Sequence, residues 1–411
     1  KTVQDITWTG YTETDKSIQP VGINNTDLSH HITILGQPGL GEKSLLQNLT
    51  YQWANRNHGF CFITTEGKAN KELLQRIPEN RSDDVVWLEP DMNKISFNFF
   101  ETENDPGEPE FDAETERLIS EFIELFDIKE GARVQNITET ILTQLIRSNE
   151  DHIIDEFNQI ISDIDEVKQF AEEFEHEIDK PLIEQFRELD NDTLSSLQRR
   201  VKSATDNELC SNIFGKSENT ISVSECVKED KLLFVDLSNI ENKDMQLFFS
   251  ETLNRKLWAS LQERVQMDST EYNNYFLILD GLDEFERENG NLENMYAEAR
   301  SVGLSITATV QELSNLSASS RRAIENNCKS ILTFKNASSL MELEKLAETL
   351  QVDTNTISSL NESEFVGKLT LENGTTQTQK ANVFSPYPPI RTPEDVGEII
   401  TDSISAYSSS K

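Results

Sequence analysis

The sequence predicts an α/β fold: a largely parallel sheet with helices on both faces and an inserted all-α domain. Three observations carry this. Short apolar runs bounded by turn residues recur along the chain, helical patterns separate most of them, and a glycine-rich turn at residues 36–44 joins one run to a helix. Alternating strands and helices argue for a parallel sheet, because each crossover helix carries the chain back to the same edge.

The runs are HITIL (31–35), GFCFI (59–63), DVVWL (84–88), KLLFVDL (231–237), YFLILD (275–280), LSITATV (304–310) and SILTF (330–334). Each has strand length and little polar alternation, the pattern of a strand buried on both faces. KSLLQNLTYQWANR and MQLFFSETLNRKLWASLQERV carry the helical spacing between them. From about 105 to 225 only helical periodicity remains, as in ETERLISEFIELF and ITETILTQLIRS, with no confident strand. The expected organisation is therefore residues 1–104 as the first part of the sheet domain, 105–225 as the inserted all-α domain, and 226–411 as the second part. That second part closes with a hairpin turning at Glu372–Asn373–Gly374 and a proline-stiffened exit segment, SPYPPIRTPED.

The chain has 411 residues, with 74 acidic and 37 basic side chains and a net charge of −37. The acid is dispersed along the whole length, which describes an acidic surface and not an acidic tail. Such a surface repels itself in dilute buffer. In molar salt the screening length falls to about 3 Å and the repulsion fades. A salt-adapted cytoplasmic protein fits this; an ordinary acidic protein is the plainer reading. The charge argues against generic adhesion to nucleic acid. Cys61, Cys210, Cys226 and Cys328 are scattered, without the close pairing of a zinc site or disulfide framework. No run of about 18 apolar residues occurs and no signal peptide opens the chain. The first residue is lysine, so an upstream segment, including a membrane anchor, can be missing.

GQPGLGEKS follows HITIL and precedes LLQNL, the strand–turn–helix context of a phosphate-binding loop (P-loop), in which backbone N–H groups and a helix N-terminus face an anion. The usual pattern is G-x-x-x-x-G-K-[ST]. Gly36, Gln37, Pro38, Gly39, Leu40 and Gly41 fit it; Glu42 stands at the lysine position, and Lys43 and Ser44 follow one place late. Two readings stand. In one, Gly41 keeps its usual place and Glu42 opposes the phosphates, with Lys43 turned about 100° round the helix. In the other, the turn is one residue longer and Lys43–Ser44 recover the usual roles. A glycine turn without ligand is the bland alternative.

YFLILD ends in Asp280, with Asp283 and Glu284 just beyond. A carboxylate at that strand end can hold Mg²⁺ together with Ser44, and a nearby acid can polarise the attacking water. The usual glutamate directly after the aspartate is replaced by Gly281. Gln311, after LSITATV, can hydrogen-bond a γ-phosphate or a water. Arg300 and Arg321–Arg322 are candidates for pairing with phosphate in a neighbouring subunit, or plain surface arginines on an acidic face.

Taken together these residues resemble the HerA/FtsK-type motor ATPases with a RecA-like sheet, above all the TraG-like coupling proteins of type IV secretion and conjugation. The resemblance runs through PVGINNTDLSHHITILGQPGLGEKSLL, through GFCFITTEGKANKELLQRIPENRSDDVVWLEPDMNKISFNFF with its R-x-x-D-V-V run, through LDEFERENGNLENMYAEARSVGLSITATVQELSNL, and through FVGKLTL and SPYPPIR. It implies ATP and Mg²⁺ as ligands, a hexameric ring, and DNA met by the helical insertion. Thr64–Thr65–Glu66–Gly67–Lys68 stands where the family usually has Asp-Pro-Lys-Gly-Asp. An ATP-driven DNA translocase is the first functional expectation. A degenerate subunit assembling with an active paralogous ATPase or secretion complex is the second, and a NACHT-like nucleotide switch, suggested by Asp280–Gly–Leu–Asp–Glu284, is the third. Arg199, Arg200 and Lys202 form the one basic cluster singled out in the insertion, and an ordinary helix face is the reading preferred for it over a DNA contact.

Overall fold

The computed structural model describes residues 6–14, 17–24, 31–90, 95–102, 106–109, 111–128, 131–148, 153–216, 219–268, 270–285, 292–335, 339–370 and 376–407. β1 (Ile6–Thr14) and β2 (Ser17–Asn24) come first. β3 (Ile32–Leu35) then leads through the glycine turn into α1 (Glu42–Asn55), followed by β4 (Phe60–Thr64), α2 (Gly67–Leu74) and β5 (Val85–Leu88). Seven helices between Phe111 and Phe214 precede β6 (Leu232–Asp236), counted among the described residues. β7 (Tyr275–Asp280), β8 (Leu304–Val310), β9 (Ser330–Thr333), β10 (Glu364–Thr370) and β11 (Thr376–Val383) complete the strands.

Among the described residues these form one sheet of 11 strands, in the order β2-β1-β11-β10-β9-β3-β8-β7-β4-β6-β5. From β9 to β5 every pairing is parallel. From β9 outward through β10, β11, β1 and β2 every pairing is antiparallel. The fold is thus α/β, a largely parallel RecA-like sheet, as the sequence predicts. All seven apolar runs are the seven parallel strands. The hairpin expected over β10 and β11 forms, but its turn residues 372–374 lie outside the described residues.

The parallel strands are apolar because helices cover both faces. β3, β4, β5, β6 and β8 are buried at every position. On one face Trp53 of α1 stacks on Phe276 of β7, centroids 4.0 Å apart and planes within 8°. Aromatic pairs of this kind add about 0.5–1.5 kcal/mol beyond area burial.

The chain divides into two compact units, one comprising 1–89, 223–239 and 253–406, the other 90–222, 240–252 and 407–411. The second is helical among its described residues and is built around phenylalanines. Phe122 meets Phe99, Phe100, Phe126 and Phe157 with centroids 4.6–5.7 Å apart, and Phe214 meets Phe248 at 4.6 Å. In its basic cluster Arg200 pairs with Asp127 at 3.0 Å, while Arg199 is exposed. No helix among the described residues is long and apolar enough to cross a membrane. All four cysteines are buried free thiols. Burial pushes Cys226 and Cys328 up to about 12, which keeps them protonated and unreactive.

His58 packs edge-on against Phe276 at 5.5 Å. Burial first, and the Arg56 guanidinium next, lower its pKa from 6.5 to about 4. Between those values the unfolded chain binds the proton and the folded one does not, so stability falls as pH drops through that window and is untouched above it. The loss reaches up to about 3 kcal/mol. His58→Gln is expected to flatten the acid limb of urea stability measured from pH 7 to 4.5; an unchanged limb would clear His58 of this role.

Candidate nucleotide site

β3 ends at Leu35, and the chain turns through residues 36–41 into α1. Gly36 N–H donates to Val310 O at 3.2 Å, and Leu40 O accepts from Ser363 N–H at 2.8 Å, so the turn is braced on both sides. Gly39 and Gly41 stand at φ +90° and +122°, where a Cβ is strained. Gly41 directly precedes the helix and Glu42 is its first residue.

Glu42 does not point outward. It is only 6% exposed, and its carboxylate folds back over the loop. Gly39 N–H donates to Oε1 at 2.7 Å and Leu40 N–H donates to Oε2 at 3.0 Å. Successive amides at a helix N-terminus make an anion seat, and here a side chain of the same loop fills it. Gln37, Pro38 and Gly39 are exposed at the tip; Lys43 and Ser44 are half-buried behind it. Lys43 forms an ion pair with Glu66. Partial burial works against its ammonium, but Glu66, then Asp280 and Glu42, outweigh it and raise the pKa.

The parallel register aligns the carboxyl ends of neighbouring strands. Leu35 lies beside Val310, Thr309 beside Asp280, Asp280 beside Thr64, and Thr64 beside Asp236. Thr64 and Thr309 hydroxyls donate to the two oxygens of Asp280 at 3.1 and 3.0 Å. Burial raises the Asp280 carboxyl; those hydroxyls hold it down, Glu66 raises it further and Lys43 lowers it. Gly281 then takes φ +87° and its N–H donates to Thr309 Oγ1 at 2.7 Å. The following turn separates the two acids. Glu284 accepts from Thr65 Oγ1 at 3.0 Å, at the end of β4, while Asp283 accepts from Asn315 at 3.5 Å.

Gln311 is the first residue after β8, exposed, one position beyond the carbonyl that holds Gly36. Arg300 sits in the turn before β8, at its amino end, and so is not brought to the loop. Arg322 is exposed and donates to Ala318 O of its own helix at 3.2 Å. Three residues escaped the sequence reading as site components: Thr64 and Thr309, which orient Asp280, and Glu66, which engages Lys43. The legible signal was positional, since both threonines lie at or next to the last residue of an apolar strand. What the assembly offers chemically is an amide seat, an ammonium and an oriented carboxylate at one sheet edge. In α/β sheets that edge is where ligands bind.

The architecture is a largely parallel, RecA-like α/β sheet with a second, helical unit. No protein-family model matches the chain, and no curated protein sequence matches it. Solved structures do. The plasmid coupling protein TrwB in complex with ADP and Mg²⁺ superposes with a TM-score of 0.66 at 14% identity, covering 93% of this chain and 92% of that one. TrwB in its trigonal form with sulphate gives 0.61 at 14% identity over the same shares. VirB4 of Thermoanaerobacter pseudethanolicus gives 0.63 at 14%, covering 93% and 96%. At this identity the likeness concerns the fold, and it is the fold expected from the TraG-like resemblance.

Proposed function

We propose that the chain is a coupling ATPase of the TraG type that binds ATP with Mg²⁺ at residues 36–44. The observation that carries this is the anion seat itself: the amides of Gly39 and Leu40 hold a carboxylate at 2.7 and 3.0 Å, so anionic oxygen is what they accept. The TrwB structures determined with ADP and Mg²⁺ or with a nucleotide analogue support the same ligand class. Ser44 and Asp280 would hold the metal ion, and Lys43 the outer phosphates. Glu284, Asp283 and Gln311 are the candidates to orient water. The metal ion would supply charge for the phosphates when bound; this chain's residues orient it and keep Asp280 aimed. Arg300 and Arg322 are the candidates to pair with phosphate on a neighbouring copy, in keeping with a ring. DNA would meet the helical unit. The setting is cytoplasmic, with membrane association through a partner or an upstream segment, and the dispersed acid suits molar salt.

Glu42 favours a weaker second reading, a subunit that binds nucleotide and hydrolyses it slowly beside an active ATPase. Losing one well-placed cationic contact commonly costs about 10²–10³ in rate. The test is titration of Mg-ATP into the folded chain at low and molar salt, with Asp280→Asn alongside. Saturable binding that loses its Mg²⁺ dependence in Asp280→Asn is expected. No saturable binding at either salt would end the nucleotide reading.

A further inference from the structure

Both groups of the loop that would meet a phosphate are already engaged by carboxylates of the chain. The amides of Gly39 and Leu40 donate to the two oxygens of Glu42, and the Lys43 ammonium is paired with Glu66. The two acids come from different places: Glu42 from the first position of α1, Glu66 from the turn between β4 and α2. They are also held differently. Glu42 is 6% exposed, while the Glu66 side chain is 51% exposed and its backbone N–H donates to Thr64 Oγ1 at 2.9 Å. Through Thr64 this turn is tied to Asp280. Ion pairs as open as that between Lys43 and Glu66 contribute little, whereas charge-assisted bonds from amides to a buried carboxylate are strong ones.

We infer that Glu42 is a built-in competitor for the nucleotide: its carboxylate occupies the phosphate seat of the empty loop, so a triphosphate enters only by displacing it, while Glu66 holds Lys43 as a second, weaker latch. This rests on the nucleotide reading above and adds its regulation. Two consequences follow from one side chain. The empty loop is satisfied without ligand, so Glu42 stabilises the free chain. The same bonds must be broken for phosphate to bind, so Glu42 lowers affinity. Stability of the empty chain and affinity for phosphate are thereby set against each other. A glutamate that merely repelled phosphate from outside the seat would lower affinity without stabilising the empty chain.

The experiment compares the full chain with Glu42→Gln, Glu42→Ala and Glu66→Gln, measuring thermal midpoint without ligand and affinity for Mg-ATP and for inorganic tripolyphosphate. Expected is a lower midpoint for both Glu42 variants together with affinity tighter by about tenfold or more, as loss of a charged competitor implies. Glu66→Gln should tighten binding less and leave the midpoint nearly unchanged. A wild-type chain that binds Mg-ATP, with Glu42 variants that bind it no tighter, would overturn the competitor. So would Glu42 variants that bind more tightly with an unchanged midpoint, since that is repulsion alone. If neither the wild type nor any variant binds ATP or tripolyphosphate, the site reading itself fails, and the midpoints still report whether Glu42 stabilises the loop.

Discussion

Arg81→Ala is expected to destabilise the folded chain by about 3–5 kcal/mol, the usual cost of removing one partner of a buried ionic cluster. Arg81 is 4% exposed. Its Nε donates to Asp84 at 2.5 Å, one terminal nitrogen to Ala54 O and His58 O at 2.9 and 3.3 Å, and the other to Asp230 O at 2.6 Å. One guanidinium thus ties the end of α1 to the approaches of β4, β5 and β6. Removing it takes a donor from three carbonyls, of which Ala54 O keeps Asn57 N–H at 3.1 Å, and leaves Asp84 with Lys231 at 3.3 Å as its remaining ion-pair partner. Arg81→Lys should recover only part, because an ammonium lacks the planar fork. Urea denaturation at molar salt measures both. A loss below about 1 kcal/mol for alanine, the range of a surface pair, would contradict the assignment. The Arg-x-x-Asp of the sequence resemblance therefore has an architectural reason independent of any ligand.

Gly41→Ala is the second large effect. The backbone there sits at φ +122°, and a non-glycine residue in such a region costs about 1–3 kcal/mol. The added Cβ would also lie 2.8 Å from Phe334 Cε1 and 3.1 Å from the Cα of Ser363. Overpacking of this kind costs a further 1–3 kcal/mol or so. Phe334 is fully buried and Ser363 holds Leu40 O, so neither yields cheaply. The expected result is a loss of about 2–5 kcal/mol, with nucleotide binding lost as the seat deforms. Gly39→Ala is the matched control. It shares a positive φ of +90° but has nothing within 4 Å of its Cβ, so only the strain of about 1–2 kcal/mol applies. Equal losses at the two positions, read by thermal melting and Mg-ATP titration, would mean the contact with Phe334 and Ser363 is not decisive.

The parallel half of the sheet was legible because burial on both faces forces continuous apolar runs; DVVWL and YFLILD admit few other readings. β1 and β2 were not legible. The buried face of β1 carries Thr7 and Thr9, both fully buried, in place of aliphatics. Thr9 finds its partner in Val21 O at 3.0 Å, a cross-strand bond that no local pattern announces. The loop was recognisable from its glycines and its spacing, and its register could be posed as two alternatives. Which way the Glu42 side chain turns was beyond reach, since that depends on two amides freed by the positive φ of Gly39 and on burial beneath the loop. Glu66 and the two threonines became site residues only through the strand order, which brings the ends of β4, β7 and β8 side by side. Arg300 fits a repeatable sequence element, yet it precedes its strand and so lies at the opposite end of it from the loop.

During synthesis β3 leaves the ribosome long before either of its neighbours. Ile32–Leu35 is hydrogen-bonded to Thr307–Val310 on one side and to Ser330–Thr333 on the other, both from the last third of the chain. At about 5–20 residues per second, a nascent chain waits roughly 15–60 s between making the glycine turn and making Phe334, which packs against it. Throughout that interval a short strand that the finished fold buries at every position has no sheet to join. Closing so long a loop adds little to the equilibrium cost, about 0.6 kcal/mol per doubling of length, but non-local pairing slows the search. Truncation upstream of β8 would therefore leave β3 an orphaned aggregation hazard, and the phosphate seat acquires its shape only after Phe334 and Ser363, which brace it, have been made.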